Sequence, residues 1–193
     1  MSENIDFRVD YNKFKVMDEF NTDELKYPLI LSIPHCGTVF PEEFLRAVRH
    51  DVMTLRKNED ILVYDLLEPA IRDGGIAAIK LNVSRSFIDV NRAKVELDPN
   101  MFFDYPREDI GLNQQRSRYG LGIIHKVTAD SRPIYAGRIS YKEAEERIKN
   151  VYDVYHGRLK ELIARTIDKF GFCLVLDCHS MPSKICSIIS ESP

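Results

Sequence analysis

Apolar residues along this chain gather into short runs that stop abruptly at Gly or Pro. Pro28-Leu29-Ile30-Leu31-Ser32-Ile33 is one, followed by Pro34-His35-Cys36-Gly37. Phe172-Cys173-Leu174-Val175-Leu176 is another, followed by Asp177-Cys178-His179-Ser180-Met181-Pro182. Runs this short and apolar predict buried strands. Ile76 to Val83 predicts a further strand, and a short one is expected near Phe14-Lys15-Val16 in an irregular lead-in.

Between these runs the period changes to that of helices. Pro41 to His50 starts with Pro and two Glu, as a positive helix N-terminus prefers. Asp60 to Arg72 predicts a second helix, which Pro69 should kink or end and Gly74-Gly75 should stop. Tyr141 to Phe170 is the clearest, with Ile148, Val151, Tyr155, Leu159, Leu162 and Thr166 on one face. Ser140 and Glu143 have the spacing of a capping box, and Gly171 stands where a C-cap glycine belongs. Met101 to Lys126 has no clear period and reads as a long loop near a site. Strands alternating with helices predict an α/β sheet.

Composition narrows the function classes. A chain of 193 residues is long enough for one domain with its own core. A net charge of −3 argues against non-specific nucleic-acid binding. No apolar run approaches the ~20 residues of a membrane span, so no membrane partner is expected. The polar start Met1-Ser2-Glu3-Asn4 is not that of a signal peptide. Cys36, Cys173, Cys178 and Cys186 lack paired Cys-x-x-Cys spacing, which points to reduced thiols in the cytoplasm.

The two strand-end histidines, His35 and His179, carry the chemistry. Ligands of open α/β sheets bind outside the carboxyl ends of strands. Two imidazoles delivered there can share one metal ion. A single such histidine is more simply a buried, backbone-bonded residue; two in matching contexts with acids nearby favour metal. A catalytic zinc takes three protein ligands. Glu59 and Asp60 offer the third, although Asp60 also suits a helix N-cap. Arg85 and Arg92, flanked by Asp89 and Asn91, have the fork geometry to hold an anionic substrate. The plain alternative is a surface loop with an Asp89–Arg92 pair. Arg116, Arg118, Arg132 and Arg138 add positive charge nearby.

The ordered set of motifs resembles the N-formylglutamate amidohydrolase family. The matching pieces are Pro34-His35-Cys36-Gly37, Glu59-Asp60 before a helix, and Asp89-Val90-Asn91-Arg92. They continue with Gly120-Leu121-Gly122-Ile123, Ile134-Tyr135 with Arg138, Tyr152-x-x-Tyr155-His156-x-x-Leu159, and Asp177-Cys178-His179-Ser180-Met181-Pro182. The resemblance implies a three-layer α/β/α mixed sheet similar to zinc carboxypeptidases. It implies zinc held by His35, Asp60 and His179. Asn91-Arg92 is similar to the pair by which that wider fold grips a substrate carboxylate, with Arg85 and Arg138 as further substrate-binding candidates. The implied substrate is a small acidic N-acyl amino acid such as N-formyl-L-glutamate.

Metal-assisted amide hydrolysis also needs a proton acceptor. Glu59 is the first candidate within the chain, and His156, one turn from Tyr152, the second. Asp177 is placed to orient a metal-bound imidazole. Cys36 stands where the family usually has Ser. The resemblance implies further strands and helices beyond Pro193, and in the carboxypeptidase-like fold the general-base glutamate comes from that later part. Residues 1–193 are therefore expected to form a single domain incomplete at its C-terminus, with an unpaired strand near Ser187-Ile188-Ile189-Ser190. Two rivals are a cysteine hydrolase built on Cys36 or Cys178 and a truncated metal-binding domain without turnover. Oligomeric state leaves no mark on the sequence.

Overall fold

The computed structural model describes residues 4–106 and 119–181. Its centre is a four-stranded sheet. The strands are β2 (Met17–Phe20), β3 (Leu29–Ile33), β4 (Ala77–Leu81) and β6 (Leu174–Asp177), in the order β2-β4-β3-β6. β4, β3 and β6 run parallel, and β2 pairs antiparallel with β4. A separate two-stranded ladder joins β1 (Asn4–Ile5) to β5 (Arg138–Ile139).

Period-2 alternation explains how helices cover this sheet. Leu31, Ile33 and Ala78 face one side, where they pack with Val63 and Ile71 of α3 (Val63–Arg72). Ile30, Ile79 and Leu81 face the other, in the larger core with Tyr155 and Leu162 of α5 (Asp153–Phe170). The α/β expectation therefore holds, with helices on both faces. Two short helices, α1 (Glu42–Ala47) and α2 (Val52–Leu55), lead toward α3. From β3 the chain moves to β4 on one side, and it later returns to β6 on the other. The boundary between β3 and β6 is thus a topological switch point, where side chains from two strand ends can meet.

Local details depart from the sequence reading in four places. The first strand is Met17–Phe20 and not Phe14–Val16; Asp18 and Glu19 mask its period, and pairing with β4 overrides their propensity. Helix α3 runs through Pro69 to Arg72. Asp65 and Pro69 both lie on the exposed face, so water can take the carbonyl that proline leaves unbonded. The Ser140–Glu143 capping box does not form. Ser140 Oγ instead donates to Asp104 Oδ2 at 2.8 Å, and Asp104 Oδ1 accepts the Tyr141 N–H at 2.5 Å. The long helix is interrupted: α4 (Tyr141–Arg147) passes through a π turn, Ile148–Tyr152, before α5. Gly171 does end it in the left-handed region, at φ 82°. The strand expected near Ser187-Ser190 lies outside the described residues.

Gly37 explains how the strand exits are held together. Just beyond β3 the chain bonds to the exit of β4, with Val39 N–H to Asn82 O at 2.8 Å and Ser84 N–H to Val39 O at 2.9 Å. A Cβ on Gly37 would sit 2.1 Å from the Val83 carbonyl oxygen, so the approach is open to glycine alone. Gly37→Ala should therefore cost on the order of 3 kcal/mol of folding stability, as overpacking against backbone does. Urea denaturation of the two proteins side by side checks this; equal midpoints would mean that the two exits can move apart freely.

Candidate metal centre

Three side chains converge at the switch point. His35 follows β3, His179 follows β6, and Asp60 is brought in by backbone pairing, its N–H donating to His35 O at 3.0 Å. The Asp60 carbonyl starts the turn into α3, accepting from Val63 N–H at 3.2 Å, but its carboxylate does not cap that helix. Asp60 Oδ2 lies 3.4 Å from His35 Nδ1 and 3.1 Å from His179 Nδ1. Ser180 Oγ donates to the other oxygen at 3.0 Å. One ligand atom from each of His35, Asp60 and His179 lies within 4.8 Å of the other two.

The far nitrogen of each imidazole is tied to a carboxylate. His35 Nε2 is 2.8 Å from Asp89 Oδ1, and His179 Nε2 is 2.8 Å from Asp177 Oδ2. An Nε2–H donated outward leaves the Nδ1 lone pair pointing inward, the arrangement in which carboxylates orient metal-binding histidines. His35 Nδ1 is buried and has no hydrogen-bond partner among the described residues. A buried acceptor left in that state is costly. A divalent cation between the three groups would satisfy it, and the mixed nitrogen and oxygen donors suit such an ion. The residues present therefore fit a metal.

Charge within the site is tightly balanced. Burial pushes the Asp60 carboxyl up, but hydrogen bonds with His179 and Ser180 and the nearby His35 ring outweigh it and hold the group well below the usual carboxylate range. His179 is pushed up to about 9, first by its bond to Asp177 and then by Asp60. Asp89 is fully buried, and its bonds to His125 and His35 overcome desolvation to keep it ionised. Arg85 Nε donates to Asp89 Oδ2 at 2.9 Å, His125 Nε2 stands 3.3 Å from the same oxygen, and Asn91 N–H donates to Oδ1 at 2.9 Å.

Other candidates from the sequence sit around this cluster in different ways. Asn91 Nδ2 donates to Asp177 Oδ2 at 2.8 Å and lies 2.9 Å from His179 Nε2. Arg92 bonds Leu121 O at 3.1 Å and stands 3.8 Å from Asp89 Oδ2. Glu59 has both oxygens engaged, one by Arg56 Nε at 2.9 Å and one by Ser84 Oγ at 3.0 Å. Burial, the largest influence, raises its pKa. His156 Nε2 donates to Val90 O at 2.7 Å and joins no metal-ligating group among the described residues. Arg138 is exposed on β5, lining a separate cleft with Arg49 and Lys126. Arg116 and Arg118 lie outside the described residues. The Cys36 thiol donates to Asp60 O at 3.0 Å and that of Cys178 to Leu176 O at 3.4 Å. Burial pushes both thiols up. Neither has a histidine partner among the described residues, which removes the dyad that a cysteine hydrolase requires.

Two residues were missed by sequence reasoning. His125 is buried within a stretch read as aperiodic loop, and burial lowers its pKa so that it stays neutral. Nothing local marks it. Ser180 lies next to His179 in the motif, and that adjacency is the one sequence signal for its bond to Asp60.

The family model described as N-formylglutamate amidohydrolase matches residues 27–191. The N-formylglutamate deformylase of Pseudomonas aeruginosa is 26% identical over 165 residues, and that of Pseudomonas putida 24% over 162. Each match covers 83% of this chain and 54% of the relative, so the chain spans about half the length of these curated relatives. A crystal structure of N-formylglutamate amidohydrolase from Ralstonia eutropha JMP134 superposes with a TM-score of 0.80 at 27% identity. That match covers 92% of this chain and 62% of the other. An Agrobacterium tumefaciens gene product, 18% identical with a TM-score of 0.62, shares the fold over 90% of this chain and 59% of its own.

The His179 geometry sets a pH dependence for the metal-free protein. Its folded pKa, about 9, lies above the ordinary value of 6.5. Its stabilising contribution is therefore complete below about pH 6.5 and is lost as pH rises through about 9. Thermal unfolding of chelator-treated protein should show a falling midpoint across that window, and His179→Gln should flatten it. A metal ion bound between the three groups would replace this proton, so a saturating divalent ion should also remove the slope. An unchanged slope in His179→Gln would assign it to other groups.

Proposed function

Because this chain belongs to the N-formylglutamate amidohydrolase family, we propose that it serves the zinc-dependent hydrolysis of the amide of an N-formyl, or related N-acyl, acidic amino acid. The observation that carries this reading is the convergence of His35 Nδ1, Asp60 and His179 Nδ1, each imidazole backed by its own carboxylate. Zinc held there would polarise the scissile carbonyl and bring the pKa of an attacking water toward ~7.

The chain's own residues hold and orient. Asp89 and Asp177 keep both Nδ1 lone pairs turned inward. Ser180 restrains one Asp60 oxygen and leaves the other to the centre. Asn91 braces the Asp177–His179 pair. Arg92 stands next to it on the partly solvent-facing side and offers its guanidinium to the carboxylate of an acidic substrate. Arg85 is committed to Asp89, so its part is to balance that charge. Glu59 keeps both oxygens on Arg56 and Ser84, so we assign it to holding the turn before Asp60 and not to proton transfer.

Purified protein should carry about one zinc per chain, and His35→Ala and His179→Ala should each lose most of it. Elemental analysis reads this directly. Full retention in both variants would remove the site. Formate release from N-formyl-L-glutamate then tests turnover; zinc without formate would leave a metal-binding domain that does not turn over. If turnover is seen, Arg92→Lys should raise KM about tenfold, the scale of one lost charge-assisted hydrogen bond. An Arg92→Ala protein with unchanged kinetics would free Arg92 of this role.

A further inference from the structure

The interrupted helix bears on the metal centre through the loop that carries Asp89. In the π turn, Asp153 N–H reaches back to Ile148 O, a step of five residues. Such a turn departs from α-helical geometry and is often found near functional sites. Arg147 precedes it and His156 follows it, nine positions apart. At about 100° per residue, an unbroken α-helix would set these two on roughly opposite faces. Here they reach the same segment. Arg147 Nη1 donates to Phe87 O at 3.0 Å, and His156 Nε2 donates to Val90 O at 2.7 Å.

Those two carbonyls bracket Ile88 and Asp89. Arg147 is fully buried, paired with Glu143 at 3.1 Å, bonded to Tyr135 OH at 2.8 Å and stacked 4.1 Å from the Phe87 ring centroid. It is the fixed arm. His156 is half-buried against Tyr152, with ring centroids 4.2 Å apart, and is the arm that can be exchanged without opening the core. We propose that the π turn and these two side chains form a clasp that fixes Asp89, and through it the inward lone pair of His35. Arg147 and His156 are then positioning residues for the metal centre. The inference rests on the metal reading above, and its test separates the two.

His156→Leu removes the bond to Val90, whereas His156→Gln keeps a donor of similar reach. Two measurements on the full 193-residue chain follow each variant. In metal-free protein, proton NMR of the ring N–H groups should show the His35 Nε2–H bonded to Asp89 in wild type and in Gln. In Leu it should be broadened or lost. In the presence of zinc, competition with a chromophoric chelator should show at least about tenfold weaker binding in Leu and near-wild-type binding in Gln, the scale of a support lost behind a ligand. Leu behaving as wild type in the NMR measurement would overturn the clasp, as would Gln failing to rescue it. If the NMR pattern appears but wild type binds no zinc, the clasp stands and the metal reading falls.

Discussion

A single buried carboxylate sets the terms for the whole site. Asp89 is removed from water, and an ionised group there must be paired and hydrogen-bonded or it would take up a proton. Its partners come from separate stretches of chain: His35 after β3, Arg85 and Asn91 N–H from its own loop, and His125 from far along the sequence. Satisfying this one charge joins the exits of β3 and β4 to the 121–125 segment. The close approach at Gly37 serves the same joint from the backbone side.

The two halves of the candidate metal centre are held in different ways. His35 stands at the end of a central strand and is buried, with its outer nitrogen held by Asp89. His179 follows β6, which among the described residues pairs only with β3. Leu174 and Leu176 on that strand are 53% and 45% exposed, so little packing restrains it. What holds His179 is polar: Asp177, itself braced by Asn91, and Asp60. Such contacts depend on protonation and on a bound cation far more than apolar packing does. One candidate ligand is thus built into the core, and the other is held by the charge balance of the site.

Much of this was legible in the sequence because it depends on local pattern. Short apolar runs located β3, β4 and β6, and the period of Ile148 to Thr166 located the long helix and its buried face. The histidines at the strand ends announced themselves by position. The first strand was displaced because its burial is supplied by β4, not by its own composition. The capping box does not form because Asp104, distant in the chain, takes the same N-terminus.

Alone, then, the sequence determined the order of elements, the family, and which histidines could reach the edge of the sheet. Tertiary structure decided which acid meets them and which side chains stand behind them. Asp60 and Glu59 are neighbours of like charge, and only the bond of Asp60 N–H to His35 O turns one inward while Arg56 and Ser84 hold the other. His125 is an isolated histidine in an aperiodic stretch until folding buries it against Asp89. Local periodicity encodes burial of a face, whereas pairing of polar groups depends on contacts between segments that no local pattern records.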